Sequence, residues 1–490
     1  MKRFLLGAAT AALVAGPAFA AQTHVNLGVA LEPPNLDPTA GAAAAIDEIV
    51  YQNVLQGLTR IDKNGEVQPS LATSWEISDD GLVYTFHLVE GAKYHDGSDF
   101  TADDVKFSYE RAMGPDSQNA QKGLFEPIES IEVVDPATLK ITLKRPTGNF
   151  VYKMGWGDAV ILDEASAADT ATNPVGTGPF KFGDWAKGAS VTLEKNPDYW
   201  GEPVALDSVT FKFISDPTAA LAALMAGDVD AFPNWPSPET LPQIEADPRF
   251  SVVRGSTEGE TILSTNNAKP PFDQLKVRQA IAHTLDRQAI IDGALFGSGT
   301  PIYTHYPPTG PAFIDLSGLY PHDLDKAREL LAEAGFPDGF EATLKLPPPV
   351  YARRGGEIVA AQLAEVGIKL EIIPVEWAQW LDQVYKGGDY DLTIVAHTEP
   401  DDLQIYTRDN YYFNYEGTEV RALMEQLAAE ADEAKRIEIQ QAVQTKIAED
   451  AVNGFIHQLG KTVVAKKGLK GLWDNQPTQA NDLSEVHWEE

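Results

Sequence analysis

Between residues 323 and 396 the chain switches repeatedly between helical and strand periods, and this alternation restricts its fold more than any other stretch. Asp323 stands where a helix cap is expected, Ala327, Leu330, Leu331 and Ala334 form one stripe, and Gly335 ends it. "FEATLKL" then alternates strictly, with Phe340, Ala342, Leu344 and Leu346 against Glu341, Thr343 and Lys345. Ile358, Val359, Leu363 and Val366 return to helical spacing before Gly367, and "IKLEIIPV" follows as a strand. A short helix starting near Trp377 and the apolar run Leu392–Ala396 complete a β-α-β-α-β pattern, which predicts a parallel sheet with right-handed crossovers.

In open parallel sheets, ligands sit beyond the carboxyl ends of the strands. The last strand of this unit runs straight into His397, Thr398, Glu399, Pro400, Asp401 and Asp402, so an imidazole and three carboxylates are expected on a pocket rim. "PPPV" at 347–350 would stiffen a loop on the same rim, and Arg353 and Arg354 follow near a helix start, where they suit a ligand carboxylate. Trp156, Trp377, Trp380 and Tyr406 fall near the same crevice. Aromatic faces beside carboxylates suit an organic ligand carrying positive charge.

Elsewhere, "VYTFHL" places Tyr84, Phe86 and Leu88 on one strand face, and Thr101 with Asp104 opens a helix like a capping box. The first twenty residues have a basic start (Lys2, Arg3), an apolar middle and the small-residue exit Ala18-Phe19-Ala20. That is the layout of a secretory signal, with the mature chain expected to begin at Ala21. The chain has no cysteine, so neither a disulfide framework nor a lipidated cysteine is expected. An exported, unanchored, disulfide-free protein fits a Gram-negative periplasm. The formal net charge of −34 over 490 residues argues against nucleic acid and anionic membranes as partners.

Catalytic and cofactor motifs fail on spacing. "GFIHQLGKT" has five residues between its glycines where a phosphate loop needs four; no serine sits in a G-x-S-x-G elbow, and there is no H-E-x-x-H. "YHDG" at 94–97 reads as a turn. Metal held by His397, Glu399 and Asp401, or a glycosidase-like carboxylate pair, would each need converging ligands that this loop does not supply by itself. Neither a cofactor nor a resident metal is expected.

The sequence resembles the family 5 solute-binding proteins, the peptide, dipeptide and nickel-binding components of ABC importers. The resemblance is carried by "QPSLATSWEISDDGLVYTFHLVEGAKYHDGSDFTADDVKFSYERA" (68–112), "LEPPNLDP" (31–38), "NPVGTGPFKF" (173–182), "VTLEKNPDYWG" (191–201), "LMAGDVDAF" (224–232) and "VRQAIAHTLDR" (277–287). It implies an α/β, two-lobed periplasmic-binding-protein-like fold (type II, cluster C) with a small extra domain inserted in the first lobe. Residues 21–50, 160–262 and 470–490 would form the first lobe, 51–159 the insertion and 263–469 the second lobe, with hinge crossings near Thr261 and Thr462. It further implies a monomer that hands its solute to membrane-embedded permease subunits driven by cytoplasmic ATPases. Similar dipeptide binders carry Gly-Trp-Thr-Gly-Asp after the corresponding strand; here that Asp falls on Pro400, and their carboxylate-holding Arg falls on Leu346. Glu32 matches a cleft-facing acidic position of oligopeptide binders.

The expected ligand set is therefore Glu32, Trp156, Arg353, Trp377, His397, Glu399, Asp401, Asp402 and Tyr406, around a small organic solute, peptide-like or amino-acid-derived. Sugars, opines and metal chelates are the alternative solutes. A secreted hydrolase using the acidic cluster and a chaperone-like binder of unfolded chains are the rival classes.

Overall fold

The computed structural model describes residues 22–41, 43–398, 402–430 and 432–489. The expected signal segment, residues 1–20, and Glu399, Pro400 and Asp401 of the expected pocket rim lie outside them.

Two long strands organise the molecule. Phe250–Thr265 and Asn453–Lys466 pair antiparallel along nearly their whole length and sit at the middle of an 11-stranded sheet. Towards one end they are flanked by Leu392–His397, Phe340–Leu346 and Ile368–Pro374. These three strands are mutually parallel, as the alternating periods predict. Towards the other end the long strands are flanked by Ala231–Phe232, His24–Val29, Ser208–Phe213 and the hairpin 180–195.

Each half of the sheet has its own core. Val25, Leu27, Ile46, Val209 and Phe211 belong to one, and Leu263, Leu344, Val359, Leu363 and Ile394 to the other. A second cluster in the latter half gathers Val395, Trp380, Tyr406, Tyr412 and Phe455. Residues 72–143 carry a separate four-stranded antiparallel sheet backed by the helix Ala102–Met113, whose core includes Tyr84, Phe86, Tyr109 and Ile141. The expected Thr101–Asp104 capping box is present. Each of these apolar sets buries one face of a helix or sheet, the layered arrangement that stabilises α/β proteins.

Where the sheet passes from one half to the other, the pairing breaks step. Ser256 stands opposite Gly460 and Glu260 opposite Gln458, so three residues of one strand span one residue of its partner. A second irregularity follows between Thr261 and Ile262. Bulges of this kind bend a strand and increase its local twist. Thr261 therefore sits at the irregular region, whereas Thr462 pairs regularly with Arg254 beyond it.

Candidate functional site

Strand direction locates the crevice. Leu392–His397 runs antiparallel to Phe250–Thr265 and ends with His397 opposite Glu260, close to the pairing break. From the other half, His24–Val29 runs parallel to Ala231–Phe232, which is antiparallel to Asn453–Lys466 with Phe232 opposite Val464. The carboxyl ends of both strand sets therefore point at the midpoint of the long strands and face one another. That is where ligands collect in open sheets of this type.

One wall comes from the 340–413 region. Proline at 347–349 precedes the helix Val350–Ala364, whose first turn carries Arg353. Arg353 donates to the Val375 carbonyl (3.3 Å) and pairs with Glu376 (3.1 Å), clipping the next strand end beside it. Arg354 lies over the Phe296 ring at 4.9 Å. The short helix Trp377–Trp380 continues as a π-helical segment over Leu381–Lys386. On it Trp377, Leu381 and Tyr385 recur every four residues, and all three are exposed (41%, 44% and 38%). Single-turn π segments are uncommon and concentrate at functional sites.

His397 is buried, with its Nε2 3.0 Å from the Tyr412 hydroxyl and its ring edge-on to His305. Tyr406 does not reach the rim. It is buried in the core, its hydroxyl 3.1 Å from His305 Nδ1 and accepting from Asn453 Nδ2 at 3.2 Å. Trp380 is likewise interior, its indole donating to Thr393 Oγ1. Aromatic spacing could not separate these from Trp377, because the helix turns one ring outward and the other into the sheet. Asp402 opens the 3-10 helix Asp402–Thr407.

Trp156 is buried in the core cluster of the small antiparallel sheet, with its indole nitrogen lacking a hydrogen-bond partner. The adjoining turn Gly157–Ala159 packs against Asp47 of the helix Ala44–Val50. Burial first, and the nearby Asp158 charge second, hold the Asp47 carboxyl well above the usual carboxylate range; burial pushes Asp158 up to about 7. Glu32 is exposed and lies at the same end of its half, where Oε1 accepts from the Trp185 indole (3.0 Å) and the Gly188 amide (2.9 Å) of a hairpin turn. Its carboxylate thus fastens that turn.

At the midpoint itself, Glu260, Thr261, His457, Gln458 and Lys461 are all buried. Such a polar run would not be read as ligand-facing or structural from spacing alone. Burial lowers His457 to about 4 and Lys461 to about 8. Among the described residues no three His, Asp or Glu side chains are grouped to hold a metal ion.

Residues 66–418 match the bacterial extracellular solute-binding proteins, family 5. The chain belongs to this family. It is 36% identical over 399 residues to the glutathione-binding protein GsiB of Pectobacterium atrosepticum, covering 79% of this chain and 76% of that protein. It is 34% identical over 369 residues to heme-binding protein A of Haemophilus influenzae, covering 69% of this chain and 67% of that protein. The fold is that of the Helicobacter pylori periplasmic binding protein DppA solved with the peptide STSA, with a TM-score of 0.82 at 27% identity over 96% of this chain and 99% of that one. The chain is accordingly a two-lobed solute-binding protein of the ABC importer class, and family 5 members deliver solutes to importer permeases. No described helix is long and apolar enough to cross a membrane.

Proposed function

We propose that this protein captures a small organic solute, peptide-like or amino-acid-derived, between its lobes in the periplasm and releases it chemically intact to a permease. The observation that carries this reading is the pair of long strands shared by both halves, with the carboxyl ends of the two flanking strand sets facing each other across the pairing break. Contacts made by both walls at once exist only in the shut form, so solute binding shifts the population towards closure. A micromolar solute would supply about 8 kcal/mol of net binding free energy.

The lobes are assigned as 21–50, 160–262 and 470–490 against 263–469, with 51–159 as an insertion. The separate four-stranded sheet and its own core within 72–143 support the last of these. The solute is assigned to Trp377, Arg353 and His397 on one wall and Trp156 on the other, with Glu399, Asp401 and Asp402 at the rim. The exposed Trp377–Leu381–Tyr385 stripe supports an apolar part in the solute, and the acidic rim supports a polar or cationic part. The protein acts as a monomer, without a lipid anchor, after loss of residues 1–20.

Mass spectrometry of material co-purified from native periplasm identifies the solute. Small-angle scattering with and without it then tests closure. A compaction on binding, with the solute recovered unchanged, is expected; steady turnover of the solute would replace this reading with the hydrolase.

A further inference from the structure

A cavity of about 330 Å³ lies at the seam between the first half of the large sheet and the small antiparallel sheet. One side is the turn at Thr39 and Ala40; the other is the end of the helix Ala102–Met113 with Arg111 and the loop carrying Asp116, Ser117 and Gln118. Its volume is at the lower end of the range that holds small organic ligands.

The half-buried Arg111 guanidinium is held in place before any ligand arrives. Nη1 donates to Thr39 Oγ1 at 2.7 Å, and Nη2 reaches Asp37 Oδ2 at 3.3 Å. Asp37 is itself buried and fixed, accepting from the Thr39 amide (2.9 Å) and hydroxyl (2.6 Å) through Oδ1. These contacts occupy two of the five guanidinium N–H groups, which leaves donors for a further planar acceptor. The loop opposite is pinned as well. Buried Asn119 donates to the Asp158 carbonyl at 2.8 Å and accepts from the Gln121 amide at 2.8 Å. The Pro38–Ala40 turn also packs on the Gly157–Ala159 turn. The cavity thus adjoins the Gly157–Ala159 turn and is preformed.

We propose that this cavity is a subsite for a carboxylate group of an organic solute, with Arg111 as the residue that pairs with it. A planar carboxylate can take the guanidinium donors that Thr39 and Asp37 leave open, Ser117 and Gln118 add neutral hydrogen-bonding capacity, and exposed Asp116 stays solvated at the lip. This assignment rests on the solute-binding reading and adds to it a site for one chemical group.

The test uses succinate as the probe and 1,4-butanediol as its uncharged counterpart, titrated calorimetrically into the full mature chain. Saturable succinate binding without diol binding is expected in the wild type. Arg111→Gln should weaken succinate roughly tenfold or more, and Ser117→Tyr, which fills the cavity from its exposed loop, should weaken it comparably while leaving the Arg111–Asp37 pair in place. Absence of succinate binding, equal binding of the diol, or unchanged affinity in the folded variants would overturn the proposal. Wild-type closure by both variants on the co-purified solute would reject the subsite alone. Succinate binding by a chain that no solute closes would reject the transport reading alone.

Discussion

The Asp47 carboxyl oxygen Oδ1 lies 1.7 Å from the point a Cβ on Gly157 would occupy. The aspartate of one helix therefore uses the space left by the missing side chain of a neighbouring turn, and Gly157 is required by packing. Gly157→Ala must drive the buried Asp47 out of position or shift the turn. A loss of about 2 kcal/mol or more in urea-unfolding stability is expected, with no comparable loss in Gly123→Ala, where nothing lies within 4 Å.

The same contact sets a pH dependence. Burial raises both the Asp47 and Asp158 carboxyls above an unfolded value near 3.8, Asp158 to about 7, and the Asp158 charge raises Asp47 further. Between about pH 4 and 7 the folded chain keeps a proton that the unfolded chain releases, so this pair's contribution to stability declines as pH rises through that window. Asp158→Asn removes the repulsion. Because Asp158 is partly exposed, the gain at pH 8 relative to wild type should be about 1–2 kcal/mol, shrinking towards pH 4. Unfolding midpoints at pH 5 and pH 8 measure it.

His457 works in the opposite sense. It is fully buried at the midpoint of a long strand, and neither ring nitrogen has a hydrogen-bond partner. Burial lowers its folded value from 6.5 to about 4. The stability it contributes in neutral form is present above about pH 6.5 and lost as pH falls towards 4. His457→Leu should be near-neutral at pH 7.5 and about 2 kcal/mol less sensitive to acid by pH 4.5, read from the same unfolding curves.

Substitutions at Trp377 and Trp380 are expected to separate binding from stability. Trp377 is 41% exposed and Trp380 only 4%. Trp377→Ala should leave stability within about 0.5 kcal/mol and weaken the native solute about tenfold or more. Trp380→Ala, which also strands Thr393 Oγ1 without its indole donor, should cost about 3–5 kcal/mol. Equal effects of the two substitutions on solute affinity would remove Trp377 from the binding wall.

The absence of cysteine makes closure directly measurable. Glu129 on the small sheet and Glu341 on the far half are both exposed. Fluorophores placed through Glu129→Cys and Glu341→Cys are expected to approach one another on saturation with the co-purified solute. An unchanged transfer efficiency would contradict closure.

The 323–396 region was legible because capped amphipathic helices and half-buried strands write their periods into adjacent residues. Helix Leu324–Glu333 and strands Phe340–Leu346 and Ile368–Pro374 follow that pattern. The pairing of Phe250–Thr265 with Asn453–Lys466 was not, since it joins segments some two hundred residues apart and neither carries a mark of its partner. The site was legible as an edge of the sheet rather than as a set of side chains. His397 falls at a strand end as expected, yet Tyr406 is a core residue bonded to His305, and Glu32 secures a hairpin turn. Rings that face a crevice and rings that fill a core look alike in sequence. Arg111 escaped notice because Asp37 and Thr39, which aim it, lie more than seventy residues away.

The step in pairing between Ser256 and Glu260 has a mechanical consequence. Three residues arched over one, with the second irregularity at Thr261 and Ile262 close behind, interrupt the ladder of the ribbon over a short stretch, and the bend and added twist that such bulges bring are concentrated there. Jaws that pivot at this point keep their paired lengths zipped, and deleting one residue of the arch is expected to reduce the solute-induced change in transfer efficiency while leaving both jaws folded.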